Sequence, residues 1–340
     1  HAHKEREKII MSETITLDML QSAGIGALAL LTGIFMTRKI KWLQRFCIPS
    51  PVSGGLVFSI ITLVLYKFIH VEVTFDGTLK DVFMLAFFTS VGFQSNLNVI
   101  KQGGKTLVMM LILLVGIIAT QNLIPIGICK LLDTNPLIGM AAGSISMAGG
   151  HGTAGGFSAV LESMGLQGAA TISMAAATFG LIAGSVIGGP VAERLIRKHL
   201  SSERLEPKDF KVDPAMVGIE SEEALPAGRA KRISSNEEEF QQFAWGTYSI
   251  LIVMALGTLT SLLLGQTGIT FPTYFGALLT AAVIRNIIEL TPFRRILKIK
   301  KIVSVGNICL SLFLGMAMIS LKLWELESLA LPLITILFAQ

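Results

Sequence analysis

The amino-acid sequence predicts an all-α polytopic membrane protein. It predicts two inverted repeats of about five transmembrane helices, with re-entrant Gly-rich hairpins and an incomplete second repeat. Three observations carry the membrane class, and the repeat rests on a similar order of signals in the two halves, which an odd number of spans separates. The 340 residues are 52% hydrophobic and only 15% charged, with 33 glycines and a mean hydropathy of +0.67, whereas soluble domains hold about 25% charged residues. Apolar runs recur along the chain at about the 20 residues one helix needs to cross a bilayer. Basic residues sit in short clusters between those runs, as loops on one membrane side do. This composition excludes an ordinary soluble enzyme, a disordered chain and a nucleic-acid binder. The net charge of +5 belongs to the loop clusters.

Residues 1–13 read as an N-terminal tail, with Met11 as a natural start. The first repeat, residues 14–198, opens with a span at about 17–37, which stops at Arg38 and Lys39. Pro49-Ser50-Pro51 opens the second, at about 49–70, and further spans follow at about 81–100 and 105–131. A hairpin at 136–164 begins at Asn135-Pro136 and leads to a span at about 168–192. The linker 199–240 carries Pro207, Pro214 and Pro226 among mixed charges and reads as a solvated connector. The second repeat, 241–340, has spans at about 241–266, 270–289 and 303–323. Phe271-Pro272-Thr273 opens its second span, as Pro49-Ser50-Pro51 does in the first repeat. Its last apolar run, Leu329 to Gln340, is too short to span, so the sequence reads as a fragment of a longer protein.

Counting spans places four basic clusters on one side. These are Arg38, Lys39, Lys41 and Arg45; Lys101 and Lys105; Arg194, Arg197 and Lys198; and Arg294, Arg295, Lys298, Lys300 and Lys301. The opposite loops hold Glu72, Asp76, Asp81, Asp133, Glu325 and Glu327. The positive-inside rule makes the clusters and the linker cytoplasmic and the N-terminus external. This holds only if 136–164 enters and leaves the membrane from one side. Ala148 to Gly156 contains five glycines in nine residues, poor helix sequence at about 1 kcal/mol per glycine relative to alanine. Broken backbone at membrane depth must be buried in protein or line a cavity.

That segment holds the foremost candidate site: Ser144, Ser146, Gly149, Gly150, His151, Gly152 and Thr153. Unwound glycine backbone exposes C=O groups and hydroxyls for Na+, whose site is expected within residues 144–156, and N–H groups for a carboxylate. The competing reading is tight helix packing, where Gly, Ala and Ser are common. His151, an ionisable residue in a membrane segment, could donate to a carboxylate, carry a proton or cap the broken backbone. Asn96, Thr178 and Asn307 lie in or at the ends of apolar runs and serve either a cavity or helix contacts. Cys47, Cys129 and Cys309 are far apart and read as small hydrophobes, with no metal or redox spacing. No Ser-His-Asp set, His-Glu-x-x-His motif or P-loop is present. The chain therefore reads as neither an enzyme nor an ATP-driven pump, and an ion gradient remains as the energy source.

Several motifs carry a family resemblance. They are Gly143-Ser144-Ile145-Ser146 through Gly149-Gly150-His151-Gly152-Thr153, Ile48 to Gly55, Leu85-Ala86-Phe87-Phe88, Ala177 to Leu181 with Gly188-Gly189-Pro190, Val305-Gly306-Asn307 through Leu314, and Leu321 to Leu326. Together they resemble the bacterial sodium/glutamate symporter family. The resemblance implies two inverted five-helix halves, each with a hairpin between its fourth and fifth spans. It implies Na+ as coupling ion, no other cofactor, and uptake of L-glutamate across the bacterial inner membrane. Lipid surrounds such a protein, and a homodimer is allowed. A sodium- or proton-coupled carboxylate transporter of the same architecture is the alternative. An intramembrane enzyme is the remote one.

Overall fold

The computed structural model describes residues 13–46, 48–199, 229–267, 271–291, 297–326 and 330–340. Outside the described residues lie the tail 1–12, Cys47, linker residues 200–228, Arg294, Arg295, Glu327 and Leu329. The side chains of Arg45, Lys101 and Arg197 are also outside them.

Helix α1 (Met19–Lys39) starts at a capping box. Asp18 accepts from Gln21 N at 2.8 Å, and Gln21 Oε1 accepts from Asp18 N at 3.0 Å, so two N–H groups are satisfied reciprocally. The short α2 (Lys41–Arg45) follows. Pro49 and Pro51 open α3 (Ser50–Val64), where a missing N–H is harmless. A π-helical turn, Leu65–Ile69, extends it to His70. Next come α4 (Thr78–Gln94) and α5 (Leu97–Leu131), the latter kinked at Gly104, φ 52°. The hairpin comprises α6 (Pro136–Ala142), α7 (Ser144–Met147) and α8 (Gly150–Ser163), and α9 (Ala169–His199) follows. Then come α10 (Arg229–Gly265), α11 (Phe275–Glu289), α12 (Ile299–Ile319), a 3-10 turn (Leu323–Leu326) and α13 (Ala330–Ala339). Helix α10 thus begins within the segment read as linker.

Among the described residues, six helical segments are long and apolar enough to cross a membrane: Met19–Lys39, Ser50–Ile69, Gly104–Leu131, Ala169–Gly188, Glu239–Gly265 and Ile299–Ile319. Helices α4 and α11, at 17 and 15 residues, are shorter. Helix α4 packs against α10, α11 and α12, and its Thr89 and Ser90 are buried. Each hydroxyl is satisfied within the helix, Thr89 by Leu85 O at 2.7 Å and Ser90 by Phe87 O at 2.7 Å.

The all-α expectation needs one correction. Strands β1 (Glu13–Leu17) and β2 (Val71–Phe75) form a parallel ladder, with Ile15 opposite Val73. Thr14, Ile15, Thr16, Val71, Val73 and Thr74 are β-branched and favour extended backbone. Asp76 N also donates to Ser22 Oγ at 2.9 Å, so α1 and α4 begin at the same end. Lys322 Nζ meets Glu72 Oε1 there at 2.8 Å, which brings the end of α12 to that end. Glu325 lies against Gly168, which brings the start of α9. Helix directions therefore put Arg38, Lys39, Lys41, Lys105, Arg194, Lys198, Lys298, Lys300 and Lys301 at the other end. The first end holds Glu72, Asp76, Asp81, Asp133 and Glu325, with Lys67, Lys80 and Lys130 among them.

Three apolar clusters hold the helices together. One surrounds Phe88, Tyr274 and Phe313. Another joins the hairpin to α5, α9 and α13 around Leu161, Ile172 and Ile336. The third surrounds Phe93, Ile250 and Ile302. Glycines set two of the closest crossings. A Cβ on Gly54 would lie 1.8 Å from Ala29 O, and one on Gly33 would lie 1.8 Å from Ser50 O, where α1 crosses α3. Where α10 crosses α11, a Cβ on Gly276 would lie 2.2 Å from Ser261 Oγ, and one on Gly257 would lie 2.3 Å from Ala277 Cα. Small residues let membrane helices approach this closely. Among α1, α3, α4, α10, α11 and α12, the packed pairs are α1 with α3, α4 and α12; α10 with α11, α12 and α4; α3 with α12; α11 with α4; and α4 with α12. Exchanging α1 with α10, α3 with α11 and α4 with α12 leaves this set unchanged.

Candidate substrate and ion site

The hairpin is positioned by its own polar groups. Asn135 Oδ1 accepts from Leu137 N at 3.0 Å and caps α6. At Gly143 the helix breaks, and Ser144 N turns away to donate to Asn122 Oδ1 on α5 at 3.1 Å. Helix α7 lasts one turn. A second break follows at Ala148 and Gly149, and Gly150 takes φ 69°, a left-handed conformation that suits glycine.

The glycine run is less broken than its composition suggests. From Gly150 onward it is helical. Packing overrides propensity here. A Cβ on Gly155 would lie 2.5 Å from the Phe313 ring, and one on Gly156 would lie 2.3 Å from the Tyr274 ring. Tyr274 in turn stacks on Phe88, with centroids 3.7 Å apart. Glycines therefore serve two purposes, backbone breaks at 143–150 and aromatic contact at 155–156.

His151 is buried, and its Nε2 lies 3.0 Å from Thr178 Oγ1 on α9. The Thr178 hydroxyl donates to Met174 O at 2.9 Å. A hydroxyl has one proton, so the imidazole donates from Nε2 and Thr178 accepts. Thr153 Oγ1 donates to Ile145 O at 2.8 Å, with Gly150 O at 3.2 Å, and so ties α7 to α8. A Cβ on Gly149 would collide with that hydroxyl, at 1.9 Å. Ser146 Oγ donates to Ala141 O at 2.5 Å and is buried. Gly152 lies beside Phe87 and Phe88.

The structure therefore gathers Ser144, Ser146, Gly149, Gly150, His151, Gly152, Thr153 and Thr178 around one turn. Asn96 lies apart, beyond α4 at the basic end, between Ser95 and Leu97. Those two are held by Asn286, whose Nδ2 donates to Ser95 O at 2.9 Å and whose Oδ1 accepts from Leu97 N at 2.9 Å. Asn307 is half-buried on α12, on the basic-end side of Phe313. Sequence reasoning missed Asn122, the acceptor that receives the broken backbone. Its signal was the polar pair Gln121-Asn122 inside an apolar run. It also missed Tyr274, two residues after Pro272.

Chemically, this turn offers hydroxyl, carbonyl and N–H groups and one imidazole. Such groups suit an alkali cation and a carboxylate better than a nucleophilic reaction. Helix α8 presents first-turn N–H groups at its start, where the helix dipole favours an anion.

Known proteins agree with the sequence motifs. The family model described as sodium/glutamate symporter matches residues 15–340. The chain is 37% identical to the sodium/glutamate symporter of Escherichia coli over 325 residues, covering 95% of this chain and 77% of that protein. The same figures hold for the sodium/glutamate symporter of Shigella flexneri. That of Haemophilus influenzae is 34% identical over 326 residues, or 96% of this chain and 78% of the relative. No solved structure matches significantly. With its motifs, its helices and this near end-to-end match in accord, the chain belongs to the sodium/glutamate symporter family.

Proposed function

We propose that the protein takes up L-glutamate together with Na+ across the bacterial plasma membrane by alternating access. The observation that carries this reading is the family match over residues 15–340. The broken hairpin supplies fitting chemistry. The start of α8 receives a substrate carboxylate, and freed carbonyls near the breaks receive Na+. His151 and Thr178 hold α8 against α9 and keep the turn in shape.

Two further readings belong to the same proposal. Residues 14–198 and 241–340 are inverted repeats, which accounts for the exchange symmetry of the packed helix pairs. The segment 136–164 is a re-entrant hairpin, since α6 begins where α5 ends and α9 begins at the acidic end. The basic end, with the linker, faces the cytoplasm, and the N-terminus faces outward.

The test is uptake of labelled L-glutamate into proteoliposomes with and without an inward Na+ gradient. Uptake is expected only with the gradient. Equal uptake in its absence, with K+ or choline replacing Na+, refutes the coupling. Uptake of other dicarboxylates in preference to glutamate refutes the substrate.

A further inference from the structure

Three oxygens converge on the break at Gly143. The point where a Cβ would stand lies 2.5 Å from Gln121 O, 2.7 Å from Gly139 O and 2.9 Å from Asn122 Oδ1. Two of these belong to α5 and one to α6, so they face each other across a helix contact. Only a glycine fits against these oxygens.

Two of the oxygens lack their helical donors, each for a separate reason. Pro125 stands four residues after Gln121 and has no N–H, so the helical bond to Gln121 O cannot form. The Gln340 amide reaches that oxygen at 3.4 Å. Gly143 N, which would close the helical bond to Gly139 O, donates to Met140 O at 3.3 Å. A fourth oxygen, Gln121 Oε1, is buried and has no hydrogen-bond partner among the described residues. Buried acceptors without donors are costly, the more so at membrane depth. Outward-turned carbonyls at a broken membrane helix are suited to an alkali cation.

We propose that Gln121, Asn122 and the carbonyl of Gly139 form a site for a hard monovalent cation between α5 and the Gly143 break. The proposal rests on the sodium-coupled reading above and moves the coupling ion to α5 and α6, outside residues 144–156. All the ligands are neutral, so a bound cation brings an uncompensated charge. An anionic substrate at the nearby start of α8 balances it. Each ligand then binds more tightly when the other is present, by the same factor.

The experiment follows thermal unfolding of the purified full chain in lipid nanodiscs against NaCl, with choline chloride keeping ionic strength constant. Gln121→Ala removes the side-chain Oε1 and keeps the main-chain carbonyl. Pro125→Ala removes no ligand, but supplies the missing N–H, which then competes for Gln121 O. Each variant is expected to raise the half-saturating Na+ concentration by about tenfold. Wild-type half-saturation in Pro125→Ala overturns the proposal, and does so even where Gln121→Ala fails to fold. If Na+-driven uptake persists in that variant, the symport reading stands without this site. If the wild type shows neither a Na+ response nor Na+-driven uptake, both fall together.

Discussion

Gly54→Ala is expected to open the seam between α1 and α3. The added methyl would lie 1.8 Å from Ala29 O, 2.7 Å from Gly33 N and 2.8 Å from Ala29 C. Ordinary contact begins near 3.4 Å, so the carbonyl is about 1.6 Å too close. All three atoms are backbone, and no rotamer change relieves them. The two helices must separate, and the close approach of Gly33 to Ser50 O, where a Cβ would lie at 1.8 Å, is lost too. Overpacking of this kind costs about 1–3 kcal/mol, sometimes more. The control is Gly116→Ala on α5, where a Cβ meets nothing within 4 Å among the described residues and alanine gains about 1 kcal/mol of helix propensity. Thermal unfolding in one detergent, read by intrinsic fluorescence, compares the two. Gly54→Ala should unfold several degrees below wild type, at roughly 2–4 °C per kcal/mol, and Gly116→Ala should unfold at or above it. Equal melting of Gly54→Ala and wild type would show that the crossing is looser than described, and the close-packing account would fail.

Two further outcomes can be measured. Thr178→Val should strand the buried His151 Nε2–H, costing about 1–3 kcal/mol and reducing glutamate uptake, whereas Thr178→Ser should keep both near wild type. Comparable loss in the serine variant would assign the role to the methyl group. The Glu325 carboxyl is held above its ordinary range, chiefly by burial, with Glu162 and Glu72 adding repulsion and Lys322 opposing them. A raised carboxyl pKa means the folded state holds its proton longer, so stability falls as pH rises through the ordinary value of about 4.3 and then through the folded one. Glu325→Gln should therefore melt higher than wild type near neutral pH, with the gap closing below about pH 4. A gap of constant size from pH 4 to 8 would rule out the charge as its cause.

Much of the bilayer-crossing plan was legible because hydropathy and helix length obey one constraint. The run Leu107 to Ile118 and the stop at Arg38 needed no tertiary knowledge. The break at Gly143 was not legible: Pro136 to Met147 reads as helical, with the broken backbone expected only from Ala148 to Gly156, whereas the helix ends at Gly143. Nor was what tertiary contact decides. The helical state of Gly150–Ser163 depends on the rings of Phe313 and Tyr274, which lie more than a hundred residues away in sequence. Strand β1 needed its partner at Val71–Phe75 to be visible. Gln121 and Asn122 read as incidental polar residues in a span, because their meaning depends on what they face. Asn96 and Asn307 were chosen by type alone, and type carries no direction.

The distribution of partners around α4 sets a schedule for biogenesis. Its Gly92 closes on Leu278, and its Ser90 faces Gly306, so its neighbours emerge about 200 residues later in synthesis. At roughly 5–20 residues per second, that is a wait of about 10–40 s. Meanwhile a 17-residue helix carrying Thr89 and Ser90 has neither the length to anchor itself firmly nor its final neighbours. The insertion machinery or a lipid-side chaperone is therefore expected to hold it. Slowed translation between α9 and α10 would therefore be expected to expose this helix, and not the longer ones, to quality-control proteolysis.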